Sequence, residues 1–210
     1  GGDLWPGALG IGQLVAGPFV GSRMADFGAE VIKVESPGQG DAMRRWGHHR
    51  YKDRGLWWPV LARNKKTVSA NLREKRGQDL VCRLIEQADV LVENFKPGTL
   101  EKWGLDPDAL HAINPGLIIA RVSGFGQTGP DASRAGYDFM IQGMGGLMSV
   151  TGEPNGMPMK IGVALVDVLT GTNAATAILA AVMHAQRTGD GQHIDMSLFD
   201  VSVASLANQA

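Results

Sequence analysis

Apolar and polar positions alternate along this chain in patterns that predict strands and helices in turn. Four apolar runs with strand-like periodicity are bounded by turn residues, and helical periodicity separates them. The predicted strands cover residues 30–35, 67–72, 89–93 and 117–122. The predicted helices cover residues 17–28 and 75–87, with a short helix opened by Asp106-Pro107.

This alternation predicts an α/β fold, a Rossmann-like parallel sheet with helices on both faces. Ligands of such sheets bind beyond the carboxyl ends of the strands, so the loops after Glu35, Val92 and Val122 are candidate binding loops. After residue 137 the pattern becomes mainly helical. Helices are predicted over 137–148 and 167–186, then a strand over 192–196 and a helix from 198.

Composition fits one globular domain, with 44% hydrophobic and 20% charged residues in a chain of 210. A single cysteine excludes a disulfide scaffold and indicates a reducing compartment. No uninterrupted apolar run reaches 18 residues, and no signal peptide is recognisable at the N-terminus. We therefore expect a cytoplasmic protein without a membrane partner.

Positive charge is concentrated in residues 44–76, which carry a net charge of +9 against −10 in the rest of the chain. Trp46, Trp57 and Trp58 are interleaved with these cations and are suited to stacking on a base. The patch is short and the remainder acidic, so a phosphate-bearing cofactor fits better than a nucleic acid. The alternative is a solvated loop with packed tryptophans.

The glycines of Gly124-Phe125-Gly126-Gln127-Thr128-Gly129 have dinucleotide-site spacing directly after a predicted strand. Pro130-Asp131 interrupts the helix that a nicotinamide site needs, so a loop of backbone donors is the better interpretation. The chain has no P-loop, no G-x-S-x-G and no H-E-x-x-H motif. Its five histidines are scattered, and we expect no metal site.

Asp167 stands at the head of a long run of small and apolar residues, without a cation next to it in sequence. Aspartate commonly caps helices, and composition and periodicity alone favour that role. The other possibility is a nucleophilic carboxylate. A helix N-terminus would then help to keep it ionised.

Several blocks, in order along the chain, resemble the class III CoA-transferases, the family of formyl-CoA and carnitine CoA-transferases. Each block is short, but their shared order from about residue 10 onward is specific. They include Gln13-Leu14-Val15-Ala16-Gly17-Pro18-Phe19, Ala25-Asp26-Phe27-Gly28-Ala29-Glu30, Val92-Glu93-Asn94-Phe95-Lys96-Pro97-Gly98, Ser123-Gly124-Phe125-Gly126, Gly136-Tyr137-Asp138 and Arg187-Thr188-Gly189-Asp190-Gly191.

The resemblance implies that residues 1–210 are the N-terminal part of a large, CoA-binding Rossmann-like domain. The small domain and a C-terminal segment that returns to the large domain would then lie outside this sequence. It also implies an interlocked homodimer of full-length chains. CoA would be a substrate, carried as acyl-CoA, and not a tightly bound cofactor, and a small carboxylic acid would be the acceptor.

By the same resemblance, Asp167 is the catalytic nucleophile and forms an anhydride and then a thioester with CoA. Tyr137 and Gln142 would shape the substrate pocket. Ser36 and Ser123 depart from formyl-CoA transferase, which has an arginine and a lysine there. The implied CoA-binding residues are Gln13, Leu14, Val15, Ala16, Arg44, Arg73, Asn94, Phe95, Lys96, Lys102, Trp103, Ser123 and Phe125.

Two alternatives stay open. The α-methylacyl-CoA racemases look similar but use a histidine base within an Ala-Gly-His-Asp block, where this chain has Tyr137. A tyrosine with an ordinary pKa near 10 is a poor base at neutral pH, which favours transfer. The second alternative is a CoA-binding segment that has no activity alone.

Overall fold

A six-stranded parallel sheet forms the centre of the protein in the computed structural model, which describes residues 7–52 and 54–209. Two further strands, β3 and β4, form a separate antiparallel hairpin. The strands are β1 (Gly7–Gly10), β2 (Glu30–Glu35), β3 (Arg50–Tyr51), β4 (Arg54–Gly55), β5 (Lys65–Ser69), β6 (Val90–Glu93), β7 (Ile118–Ser123) and β8 (Gln192–Ser197).

The spatial order of the sheet is β5-β2-β1-β6-β7-β8. Counted along the chain among these six strands, this is the order 3-2-1-4-5-6 of doubly wound Rossmann sheets. The direction of winding reverses between β1 and β6, and the loops that leave these strands diverge there. The fold therefore provides a crevice at the carboxyl edge of β1 and β6.

Helices cover both faces of the sheet, as the alternation of elements predicts. They are α1 (Ala16–Asp26), α2 (Trp57–Leu61), α3 (Lys75–Ile85), α4 (Thr99–Lys102), α5 (Pro107–Ile113), α6 (Asp138–Met144), α7 (Leu165–Thr188) and α8 (Leu198–Ala204). Short 3-10 turns span Ala42–Arg44 and Leu147–Val150.

Alternate strand residues divide the core into two clusters. Ala8, Val31 and Ile118 face one cluster together with residues of α1 and α7, including Val20 and Ile178. Their neighbours along the strands face a second cluster with residues of α3, α4 and α5; these strand residues include Leu9, Leu91 and Ile119. This alternation makes a three-layer arrangement in which the sheet is buried on both faces.

The strand β1 is the main element that the sequence pattern did not predict. It has four residues, two of them glycine, and it lies between β2 and β6 in the middle of the sheet. Pairing on both sides stabilises a segment with little strand preference of its own. The helix predicted over 137–148 is interrupted, because α6 ends at Met144 and Gly146 has a positive φ of 93°.

Among the described residues, α7 is the one helix long and apolar enough to cross a membrane by length and composition. Its most apolar 18-residue window has a mean hydropathy of 1.6 and is 39% buried inside the protein. Val166, Ala174 and Ile178 pack in the core beside α1 and the sheet. Core helices of this kind meet the same criterion, so α7 is weak evidence for a membrane segment.

Candidate active site

A cavity of about 680 Å³ opens at the carboxyl edge of the sheet. It lies at the crevice where the winding reverses, between the loops of β1 and β6. The loops after Glu35, Val92 and Val122 all contribute to its wall, as predicted. The loop after β1 and the first turn of α7 complete it.

Asp167 lines this cavity from the third position of α7. Among the described residues, no lysine or arginine is paired with its carboxylate. Burial, followed by the negative charge of Asp138, raises the pKa of Asp167 to about 7. The charged form is therefore held in an environment that disfavours it, which is typical of catalytic carboxyl groups.

Two expectations about Asp167 need correction. It does not cap α7, because the helix begins at Leu165 and the N-cap residue, Ala164, makes no side-chain cap hydrogen bond. The pKa of Asp167 is also raised and not lowered, because burial and the nearby carboxylate of Asp138 disfavour its charged form.

Asp138 and Gln142 fix the backbone that carries Asp167. The Asp138 Oδ2 atom accepts a hydrogen bond of 3.0 Å from the Asp167 N–H, and Oδ1 accepts one of 2.5 Å from Gln142 Nε2. Gln142 Nε2 also donates to Val163 O at 3.2 Å, while its Oε1 accepts from Ile161 N at 2.9 Å. These contacts hold the segment that leads into α7 against α6.

Asn94 holds the loop that follows β1. Its Oδ1 accepts a hydrogen bond from Gln13 N at 2.7 Å, and its Nδ2 donates to Gln13 O at 2.8 Å. Gly12 is needed for this approach, because a Cβ there would lie 2.3 Å from Asn94 Oδ1. Leu14, which follows Gln13 in this loop, has a φ of 64°. A positive φ is unusual for a non-glycine residue and is a form of backbone strain found at binding sites.

The backbones of Gly124 and Gly136 are in close contact, and Gly136 directly precedes Tyr137 in the chain. A Cβ on Gly124 would lie 2.6 Å from the Gly136 Cα atom, so neither position has room for a side chain. The contact folds the loop after β7 back on itself and places Tyr137 at the cavity, where it is 68% exposed. No helix starts within the glycine motif, and the next one, α6, begins at Asp138.

A buried ionic network supports the loop after β6. Arg121 Nε lies 2.8 Å from Glu93 Oε1, and its Nη1 lies 2.8 Å from Glu101 Oε1. Glu93 also accepts a hydrogen bond of 2.6 Å from the Phe95 N–H. The network ties β6, β7 and α4 together and sets the direction of the residues from Asn94 to Lys96.

Most cations of the basic segment, residues 44–76, have partners inside the protein. Arg44, Arg63 and Lys66 form ion pairs with acidic residues of α1 and β2. Lys75 pairs with Asp79. Burial lowers the pKa of Lys65 to about 7, and its ammonium donates to main-chain carbonyls. These cations bond to groups elsewhere in the protein, which argues against one continuous anion site.

The tryptophans of this segment also contact protein groups. Trp46 packs edge-on against Trp57 with ring centroids 6.4 Å apart, and the Arg44 guanidinium lies 3.8 Å from the Trp58 ring. Trp46 and Trp57 nevertheless remain 45% and 47% exposed.

The cavity brings together most of the predicted site residues. Those that line it are Gln13, Leu14, Val15, Ala16, Arg73, Asn94, Phe95, Lys96, Trp103, Ser123, Tyr137 and Asp167, together with Ser36. The buried Ser123 hydroxyl has no hydrogen-bond partner among the described residues.

Four predicted residues lie outside the cavity wall. Arg44 is turned toward Glu35, and Lys102 is exposed at the end of α4. Phe125 packs against Phe199 with ring centroids 5.8 Å apart. Gln142 is 1% exposed, since it bonds to Asp138 and the 161–163 backbone and does not face the pocket.

Sequence reasoning missed Asp138 and Arg134 as individual site residues. Asp138 belongs to the quoted Gly136-Tyr137-Asp138 block, but its bond to the Asp167 backbone joins positions 29 residues apart. Arg134 lies in the loop before that block and lines the cavity. No local pattern distinguishes it from other loop arginines.

Residues 8–210 match the model of CoA-transferase family III. The chain belongs to the class III CoA-transferase family.

Particular relatives are similar over nearly the whole chain. The succinyl-CoA–D-citramalate CoA-transferase of Chloroflexus aurantiacus is 54% identical over 192 residues, covering 91% of this chain and 48% of that protein. The succinate–glutarate CoA-transferase of Agrobacterium fabrum is 48% identical, covering 95% and 51%. A solved CAIB/BAIF family protein from Brucella suis superposes with a TM-score of 0.93 at 49% identity, covering 99% and 55%.

The chain spans about half the length of the curated relatives that it matches. Their names describe transfer of CoA between dicarboxylic acids.

Proposed function

We propose that the full-length protein transfers CoA from an acyl-CoA donor to a carboxylic acid acceptor, with Asp167 as the covalent nucleophile. The observation that carries this proposal is the carboxylate of Asp167 within the cavity, which pairs with no cation in the part of the chain that the structure describes. Glu35 also lines the cavity, but it bonds to Arg44 and to the Asp41 N–H. Although burial acts to raise the pKa of Glu35, these bonds lower it overall, which makes Glu35 a poor nucleophile.

In the proposed reaction, the Asp167 carboxylate attacks the thioester carbonyl of the donor. The C–S bond breaks, CoA leaves as the thiolate, and a mixed anhydride remains on Asp167. The thiolate then attacks the Asp167 carbonyl, which releases the donor acid and leaves an aspartyl-CoA thioester. The acceptor carboxylate attacks that thioester, and the returning thiolate takes the acceptor acyl group and restores Asp167.

Several features support this assignment of roles. The raised pKa of Asp167 makes its carboxylate more basic and therefore a stronger nucleophile than an ordinary aspartate. Glycine-rich loops after β1 and β7 present backbone to the cavity, where N–H groups stabilise developing oxyanions. Lys96 and Arg73 also line the cavity and are suited to the phosphates of CoA.

The full-length assembly is part of the proposal. We expect the interlocked homodimer that the resemblance implies. Support comes from apolar side chains on α7 and α8 that are exposed here, namely Leu179, Met183 and Val203. Light scattering of the full-length protein would return twice the mass of one chain, and a monomer would contradict this part.

The central test uses the full-length protein with succinyl-CoA and glutarate, followed by chromatography of the CoA esters. Wild-type protein is expected to form glutaryl-CoA, and hydroxylamine trapping is expected to modify the Asp167 peptide in a mass spectrum. The Asp167→Ala variant should lose both. Turnover that survives Asp167→Ala would refute the covalent role of Asp167. Uptake of solvent deuterium at the α-carbon of the acyl group, without CoA transfer, would indicate racemase chemistry.

A further inference from the structure

Of the cations that line the cavity, Arg134 lies nearest along the chain to Asp138, which bonds to the Asp167 backbone. Three positively charged residues line the cavity, namely Arg73, Lys96 and Arg134. Arg73 lies in the loop after β5, and Lys96 lies in the loop after β6. Arg134 follows β7 and precedes by four residues Asp138, whose carboxylate bonds to the Asp167 N–H at 3.0 Å. It therefore belongs to the end of the cavity where acyl transfer is proposed.

The Arg134 side chain is held in place by a ring and not by deep burial. Its guanidinium carbon lies 5.0 Å from the centroid of Phe125. Phe125 in turn packs against Phe199 of α8, so the platform belongs to the folded core. Stacking on a ring leaves the edge of the guanidinium, with its N–H groups, available to a planar anion.

The other contacts of Arg134 are weak enough for a ligand to replace. Nη1 lies 2.9 Å from Asp131 Oδ1, but the two side chains are 46% and 45% exposed. An exposed pair of this kind contributes about 0–1 kcal/mol. Nη2 contacts Met144 Sδ at 3.8 Å, and sulfur is a weak acceptor.

The negative charge near Asp167 favours a cation at this end of the cavity when the substrate has a second carboxylate. Asp167 lines the cavity, and the buried Asp138 bonds to its backbone, so both charges oppose a second substrate carboxylate here. A carboxylate buried without a partner is strongly unfavourable, whereas an arginine can bind it through two parallel hydrogen bonds.

We propose that Arg134 binds the carboxylate of a dicarboxylic acyl group that does not react, and so selects succinyl- or glutaryl-type substrates over monocarboxylic ones. This inference rests on the proposed function, since it assigns the substrate class of the same site. The relatives whose names specify succinyl, citramalate and glutarate substrates agree with that class.

The test compares pairs of acids of equal length in the full-length protein. Succinate is compared with butyrate, and glutarate with pentanoate, as acceptors at saturating succinyl-CoA. The succinate is labelled with 13C, so that the mass of the product distinguishes it from the donor. Wild type is expected to favour each diacid in kcat/KM. Arg134→Gln should lower the diacid-to-monoacid ratio by about 10- to 100-fold, the range for a lost bond to a charged group. Arg134→Lys should lower it less, because the charge remains while the two-pronged geometry is lost.

Arg76→Gln removes an exposed arginine outside the cavity wall; it is the matched control and should leave the diacid-to-monoacid ratio unchanged. A wild-type enzyme without preference for diacids, or an unchanged ratio in both Arg134 variants, would overturn the inference. The wild-type comparison decides even if Arg134→Gln fails to fold. Transfer to monoacids alone would refute the role of Arg134 and leave the proposed function standing, whereas absence of all transfer would refute the proposed function itself.

Discussion

At the scale of single residues, Asp167 is held in an environment unfavourable to its charge. Its pKa of about 7 in the folded chain lies above the ordinary value of 3.8. The folded state therefore binds more protons than the unfolded state between about pH 4 and 7. The free energy of unfolding that depends on Asp167 must fall as the pH rises through this window.

This predicts that Asp167→Asn stabilises the protein while it abolishes transfer. Above pH 7 we expect a gain of about 1–2 kcal/mol in the free energy of unfolding, typical when a strained catalytic group is removed. The gain should vanish near pH 4, where the native carboxyl is protonated. Denaturant unfolding of the full-length protein at pH 8 and pH 4 measures it, with the exposed Asp190→Asn as control. An equal gain at both pH values would contradict the assignment.

Asp138 is expected to tune Asp167 as well as to position it. Asp138→Asn removes the negative charge but keeps an oxygen for the Asp167 N–H. Because the charge of Asp138 is one cause of the raised pKa, the acid limb of the pH profile of kcat/KM should move to lower pH. Gln142→Leu removes the hydrogen bond from Gln142 to Asp138 without removing the charge of Asp138. It should therefore reduce kcat and leave the midpoint of the acid limb unchanged. A fixed midpoint in Asp138→Asn would restrict Asp138 to a structural role.

The sequence could predict which residues lie at the site, but not which contacts their side chains make. Asn94, Ser123 and Tyr137, which the ordered motifs named as site residues, all line one cavity. The same motifs assigned Gln142 to the pocket, although its amide is used inside the protein. Which face of a short helix meets the cavity depends on tertiary packing that spans about 20 to 30 residues of sequence, and periodicity carries no such information.

At the scale of elements, the loop after β7 depends on two glycines in contact. Gly124→Ala would place a methyl group 2.6 Å from the Gly136 Cα atom, and both partners are backbone that cannot rotate away. We expect a loss of about 1–3 kcal/mol in the free energy of unfolding, the usual range for overpacking. Transfer should fall at least as steeply, because the displaced loop carries Tyr137 and Arg134.

Gly162→Ala is the matched control for this substitution. A Cβ at Gly162 would meet no atom within 4 Å among the described residues, and its φ is not positive. Thermal unfolding and kcat/KM for the two variants should therefore diverge. Similar behaviour of both would show that the Gly124–Gly136 contact does not fix the loop.

The elements themselves were predictable in proportion to their own sequence signal. The strand over 30–35 was predicted at its observed bounds, and helix α3 begins at Lys75 as expected. β1 was missed because a four-residue segment with two glycines has no pattern of its own. It forms because β2 and β6 pair with it on both sides, which is a property of the assembled sheet.

At the scale of the whole molecule, formal charge overstates the anion-binding surface. The segment of residues 44–76 carries a net charge of +9, yet Arg44, Arg63 and Lys66 form ion pairs with acidic residues of the first 35 positions. Arg73 is the cation of this segment that lines the cavity, and Lys96 joins it from the loop after β6. Attraction of CoA phosphates should therefore depend on these two residues and not on the segment as a whole.

The resulting prediction concerns CoA affinity. Arg73→Gln and Lys96→Gln should each raise the Kd for CoA by about 10-fold or more, since each removes a charged hydrogen-bond donor from a phosphate. Arg63→Gln removes a charge of the same sign from the same segment, but Arg63 pairs with Asp26 away from the cavity. Its Kd should stay within about two-fold of wild type, because exposed charges at a distance are screened by salt. Titration calorimetry of the full-length variants at one ionic strength measures all three. The contrary result is that Arg63→Gln weakens CoA binding as much as Arg73→Gln does. All charges of residues 44–76 would then attract CoA together, and the assignment of the phosphate contacts to Arg73 and Lys96 would be refuted.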